Sequence, residues 1–186
     1  MNLEQKIMYG FSDIHVAKLT DGTYDTPVAI EGGKSVEAEL SFEHTPFYAD
    51  NREVARVGGF AGGEGTLGVL SLTSTEQNLL FGHTKIGEDG HLVKSNDVAP
   101  TVALMFSREK LDGSKQGYCL YNVKFKPTSI SATTMEEGKV EEESMELEFT
   151  IGETSNRDIY YVGKVTDTFF DKVPINPASP ASIKSK

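Results

Sequence analysis

Apolar and polar residues alternate singly along much of this chain, which is the period of a β-strand and not the 3.6-residue period of a helix. The cleanest run is Ser35-Val36-Glu37-Ala38-Glu39-Leu40-Ser41-Phe42-Glu43. Val36, Ala38, Leu40 and Phe42 fall on one face and the serines and glutamates on the other, so the run predicts a strand with one face on the core and one in water. Met145-Glu146-Leu147-Glu148-Phe149-Thr150-Ile151 repeats the pattern and predicts a partner in the same kind of sheet. Less regular strands are expected at 13–19, 24–30, 98–106, 117–125, 129–135 and 158–165. Pro27 has no N–H to donate and sets its strand at an edge or a bulge.

Turn residues separate these runs. Asp21-Gly22, Asp89-Gly90 and Asp112-Gly113 supply the positive φ that tight hairpins need, and Glu137-Gly138 closes another. A single helix is expected at 73–82: Thr73-Ser74-Thr75-Glu76 has capping-box spacing and Gly82 stands where a left-handed residue ends a helix. The fold class that results is mainly β, an antiparallel sandwich or barrel with one short helix on its flank. Two stretches fit neither period. Residues 45–66 contain Gly58, Gly59, Gly62 and Gly63 and read as a long flexible loop, and a loop of more than about 12–15 residues in a compact domain is commonly functional. From residue 170 onward Pro174, Pro177 and Pro180 break pairing, which leaves an arm over 170–186 outside a domain over 1–169.

Composition narrows the functional classes. The chain has 186 residues, enough for one domain, and its net charge of −10 comes from 18 Lys and Arg against 28 Asp and Glu. A protein that grips DNA neutralises phosphates with cations, so tight nucleic-acid binding is not expected. No apolar run approaches the roughly 20 residues that span a bilayer, and the start lacks a basic segment followed by an apolar one, so the expected setting is a cytoplasm without a membrane. Cys119 is the single cysteine and reads as a buried hydrophobe, and no Asn-x-Ser/Thr acceptor occurs.

Candidate chemistry is sparse. Gly32-Gly33-Lys34-Ser35 has the ending of a phosphate-binding loop, but Val28 occupies the place of its first glycine and the segment leads into a strand, not a helix. His15, His44, His83 and His91 lack the short spacings of metal ligands, and there is no Gly-x-Ser-x-Gly turn. The acidic run at 136–143 lacks calcium-loop spacing and reads as a solvated hairpin flank. No cofactor, metal or catalytic group is expected. Glu37, Glu39, Glu43, Glu146 and Glu148 project from sheet faces opposite the core, which suits a plain wet sheet and a lined channel equally.

Three further blocks carry a resemblance: Met8-Tyr9-Gly10-Phe11-Ser12-Asp13-Ile14-His15-Val16-Ala17, the acidic strand followed by Tyr48-Ala49-Asp50-Asn51, and Arg157-Asp158-Ile159-Tyr160-Tyr161-Val162-Gly163-Lys164-Val165. With them the chain resembles the major tail proteins of long, non-contractile-tailed phages of Gram-positive hosts. The resemblance implies a tail-tube β-sandwich whose copies form stacked hexameric rings around a tape-measure protein. It further implies contacts with tail-tip, distal-tail and tail-terminator proteins, DNA passing through the lumen without specific binding, and a place in the virion tail after assembly in the host cytoplasm. The five glutamates become lumen-facing candidates, the four glycines an assembly loop, and the proline-rich end an inter-subunit arm. A secretion-system tube protein, a β-sandwich adhesion module and a hydrolase using the Glu-rich strands are the rival classes. Gene neighbours separate the first, a monomer that recognises a glycan or protein marks the second, and an acidic cleft marks the third.

Overall fold

The computed structural model describes residues 3–127 and 144–174. After a short 3-10 turn at Leu3–Lys6 come β1 (Met8–Thr20), β2 (Thr23–Tyr24), β3 (Val28–Ala29), β4 (Gly33–Ala49), β5 (Arg52–Val69), α1 (Ser74–Phe81), β6 (Thr84–Ile86), β7 (Gly90–Leu92), β8 (Val102–Lys110), β9 (Lys115–Phe125), β10 (Met145–Ile151) and β11 (Tyr160–Lys164). All pairings are antiparallel, and the main sheet runs β2-β1-β8-β9-β10-β5-β4. The mainly β architecture with one helix is the one that the alternation predicts.

Strand β9 is where the sheet divides. Along one edge it pairs with β8; on the other its first part pairs with β11 and its last three residues with β10. Asn122 marks the division with φ +49, a left-handed conformation that asparagine tolerates better than most residues. Its backbone N–H donates to Tyr24 Oη and its side-chain amide to the Glu153 carbonyl. The kink shifts the alternation by one, so that Leu120 and Val123 both point into the main core.

That core lies between the layer β11-β9-β8-β1 and the layer β10-β5-β4. Ile14, Val16, Val102, Leu104 and Phe106 from the first meet Leu67, Val69, Leu147, Phe149 and Ile151 from the second, with Leu80 and Phe81 of α1 packed among them. The helix is capped as its sequence predicts. The Thr73 side chain accepts from the Glu76 backbone, the Glu76 carboxylate accepts from the Thr73 N–H at 2.6 Å, and Gly82 ends the helix at φ +75. A smaller cluster covers the opposite face of β1, β8 and β9: Ala17, Ala103, Met105, Cys119 and Tyr121 are covered by Tyr24, Phe169 and Val173. Cys119 is therefore buried, as expected, and burial pushes its thiol well above the ordinary range.

Several expectations need correction. Residues 24–30 form two short pairings with β1 instead of one strand, because Pro27 interrupts them. Strand β8 begins at Val102, not at residue 98. In the β6–β7 hairpin the positive φ falls on Gly87, ahead of Asp89-Gly90. Residues 170–174, expected in the arm, pack on the body instead: Val173 is buried beside Phe169, Phe170 stacks on His15, and Tyr121 donates to the Pro174 carbonyl at 2.5 Å. The strand expected at 129–135, the acidic run at 136–143, and Pro177 and Pro180 lie outside the described residues.

Candidate functional site: a projecting arm and an acidic sheet face

The largest departure from the sequence reading is residues 45–66, which form no loop. They are the end of β4, a two-residue turn and most of β5, paired in register from Gly33↔Val69 to Ala49↔Arg52. Asp50 and Asn51 turn the chain at φ +51 and +57, the paired left-handed conformation that a tight hairpin requires and that Asp and Asn accept. The glycines sit in this strand for different reasons. Gly62 has φ +119 beside the irregularity between Ser41 and Phe42, a conformation closed to other residues, while a Cβ on Gly63 would come within 2.8 Å of the Glu39 carbonyl. Gly59 faces open space, and a Cβ on Gly58 would meet the His44 ring.

Only the base of this hairpin touches the core. Val36 and Leu40 of β4 and Phe60 of β5 are half-buried against it, and beyond them residues 41–59 project as a two-stranded arm. The expectation that Ala38 and Phe42 are core residues fails: both are exposed, Phe42 because the strand has left the body there and Ala38 because it faces an open groove beside Val36 and Leu40. Phe42, Phe47, Tyr48, Val54 and Val57 are all more than half exposed on the arm. The outer edge of β4 pairs with no strand among the described residues. Lys34 and Ser35 lie within β4, so the phosphate-loop ending is a strand start, as its context predicts.

The glutamates gather on the outer face of β4, β5 and β10. Register places Glu37, Thr66 and Glu148 in one cross-strand row and Glu39, Glu64 and Thr150 in the next. Glu37, Glu39, Glu64 and Glu148 line a shallow depression of about 450 Å³ with Lys126. Glu146 lies one row further along, opposite Gly68, while Glu43 is not part of the group, since it stands on the arm opposite Gly59. Three charged residues of this face went unrecognised in the sequence, Glu64, Lys126 and Lys124, the last paired across from Thr150. Lys126 lies 3.1 Å from Glu148 and 3.7 Å from Glu64, and the Glu148 hydrogen bond with the Glu64 charge holds its ammonium above the ordinary value. Alternation through β5 would have disclosed Glu64 had that stretch been read as a strand.

Among the described residues no three His, Cys, Asp or Glu side chains converge as metal ligands, and no helix is long and apolar enough to cross a membrane. His83 stacks on both His91, at 5.6 Å between ring centroids, and Phe81, at 5.3 Å. Comparison with protein-family models and with curated protein sequences yields no match to this chain.

Proposed function

We propose that this chain is the tube subunit of a long, non-contractile phage tail, polymerising as stacked hexameric rings around a tape-measure protein and then conducting DNA into the host. The observation that carries the reading is the arm. An extended hairpin bearing five large apolar side chains in water is an aggregation hazard in a protein that stays single, and an interface in one that assembles. The edge of β4, unpaired among the described residues, supports the same reading, because such an edge is a template for another copy.

The acidic face fits the second half of the function. Were β4, β5 and β10 to line a bore, each ring would present Glu37, Glu39, Glu64, Glu146 and Glu148 to passing phosphates, and a wall of like charge offers no counterion release to hold DNA. On this reading the chain has no catalytic role, its partners are its own copies, the tape measure and the tail-tip and terminator proteins, and its place is the virion tail. Electron microscopy of the purified protein, alone and with tail-tip initiator and tape measure, tests it. Rings or tubes of uniform diameter are expected, and a protein that stays monomeric under every one of these conditions sinks the proposal.

A further inference from the structure

Between the base of β4 and the β1-β8-β9-β11 layer the body is open. The gap is a groove of about 640 Å³, within the size range of ligand-holding clefts, with Phe11, Leu40, Phe106, Tyr118 and Tyr160 along it. Arg108 stands at the same groove, half-buried, and among the described residues its guanidinium has no carboxylate partner. An apolar cleft with an unpaired cation asks for an occupant that brings an aromatic ring and an acid side by side.

The arm tip has that composition. Tyr48 and Glu53 are direct cross-strand partners and so share a face, with the Tyr48 ring more than half exposed. Both Glu53 carboxylate oxygens accept from Arg56 on the same strand, at 3.0 and 3.1 Å, an exposed fork that Arg108 of a second copy would have to share or replace. The tip cannot serve its own groove. At about 3.3 Å per residue, Tyr48 lies roughly 26 Å beyond Leu40 along the very strand that forms the groove wall. A second copy is the occupant whose reach and charge fit.

Resting on the reading of the chain as a self-assembling subunit, we infer that the groove seats the arm tip of a second copy of this chain, Tyr48 against the aromatic floor and Glu53 against Arg108. The contact joins two different surfaces, so it propagates from copy to copy wherever two copies do not exchange arms reciprocally.

Cysteine cross-linking between full-length variants tests the inference. Ala49→Cys places a thiol beside the tip and Ala38→Cys one in the groove, both at exposed positions, while the native Cys119 is buried. Mixed and oxidised, the two variants should give a disulfide-linked dimer, and Ala49→Cys mixed with Thr23→Cys, at the far end of β1, should not. Adding Arg108→Glu to the groove partner should cut the yield about tenfold, and adding Glu53→Arg to the tip partner should restore it. Equal yields from the two mixtures, no dimer, or indifference to Arg108→Glu overturns the inference. Micrographs of the same samples separate it from the tube reading: tubes without the cross-link remove the groove and leave the tube, and the cross-link without tubes does the reverse.

Discussion

Asp13 occupies the left-handed region at φ +58 in the middle of β1, where the register with β8 shifts on both sides of Ser12. Its carboxylate accepts from Ser107 at 2.6 Å and from Lys115 at 2.7 Å, which ties β1, β8 and β9 together at the irregularity. Partial burial alone pushes the Asp13 carboxyl up, but the hydrogen bonds from Lys115, Ser107 and Ser12 outweigh it and leave the group below its ordinary value of 3.8. A carboxyl lowered by folding stabilises fully above the ordinary value and loses that contribution as pH falls through the lowered one. Asp13→Asn keeps a residue that tolerates the backbone and removes the charge. It should melt below the parent at neutral pH, and the two melting curves should converge on acidification below about pH 4; a gap that persists in acid would assign the loss to shape instead of charge. Glycines on β5 give a second residue-level contrast. A Cβ on Gly65 would lie 2.3 Å from the Glu37 carbonyl and 2.4 Å from the Phe149 ring, whereas Gly59 has nothing near it. Gly65→Val should prevent stable folding, and Gly59→Val should leave melting unchanged, as calorimetry would record.

The same glycines explain what the sequence hid. Strand β10 was legible to the residue, because Leu147, Phe149 and Ile151 are all buried and the residues between them are not. Helix α1 was legible because its capping groups are local. Strand β5 was not: on its inner face Gly63 and Gly65 stand where apolar side chains would have shown the period, since the Leu40, Phe149 and Ile151 side chains fill that space from neighbouring strands. A pattern borne by one strand on behalf of another leaves no trace in the second. The turn was legible in principle, as Asp50-Asn51 accepts the two left-handed positions. The reassignment changes the expected behaviour of the element. An arm of two strands with no covering layer is marginal by itself, so joining Phe42 to Phe60 through Asn-Gly should remove it with little effect on the body, a change of about 0.5 kcal/mol or less in denaturant unfolding. The same excision should abolish assembly. A large loss of stability would instead make the arm part of the fold.

For the molecule as a whole, the acidic face separates roles that composition merges. A charge of −10 spread evenly serves only solubility, whereas these carboxylates share one sheet surface with the lysine that partly neutralises them. Glu37→Lys, Glu39→Lys and Glu146→Lys together should leave the subunit folded, because exposed substitutions commonly shift stability by about 0.5 kcal/mol or less. On the proposed reading as a tail-tube subunit, DNA ejection from phage particles carrying the triple change should slow, most at low ionic strength where screening is weakest. Ejection at the parental rate at every salt concentration would place this face outside the bore.

Strands β8 and β9 are the central pair, joined by a tight turn in which the Asp112 carboxylate accepts from Ser114. Leu104, Met105, Cys119 and Leu120 fill both faces of this pair, and each surrounding strand arrives from farther along the chain. The pair closes over only the four residues 111–114 and is buried on both faces, so it is a step that can form before distant pairings meet their entropic toll. Folding should begin there. In stopped-flow experiments Leu104→Ala should slow refolding nearly in proportion to the stability it removes, while Tyr48→Ala should change neither limb of the chevron. If the chain assembles as proposed, a polypeptide that completes its body before its arm matters can accumulate as finished copies, and the onset of polymerisation is then governed by encounter between them and not by the speed of synthesis.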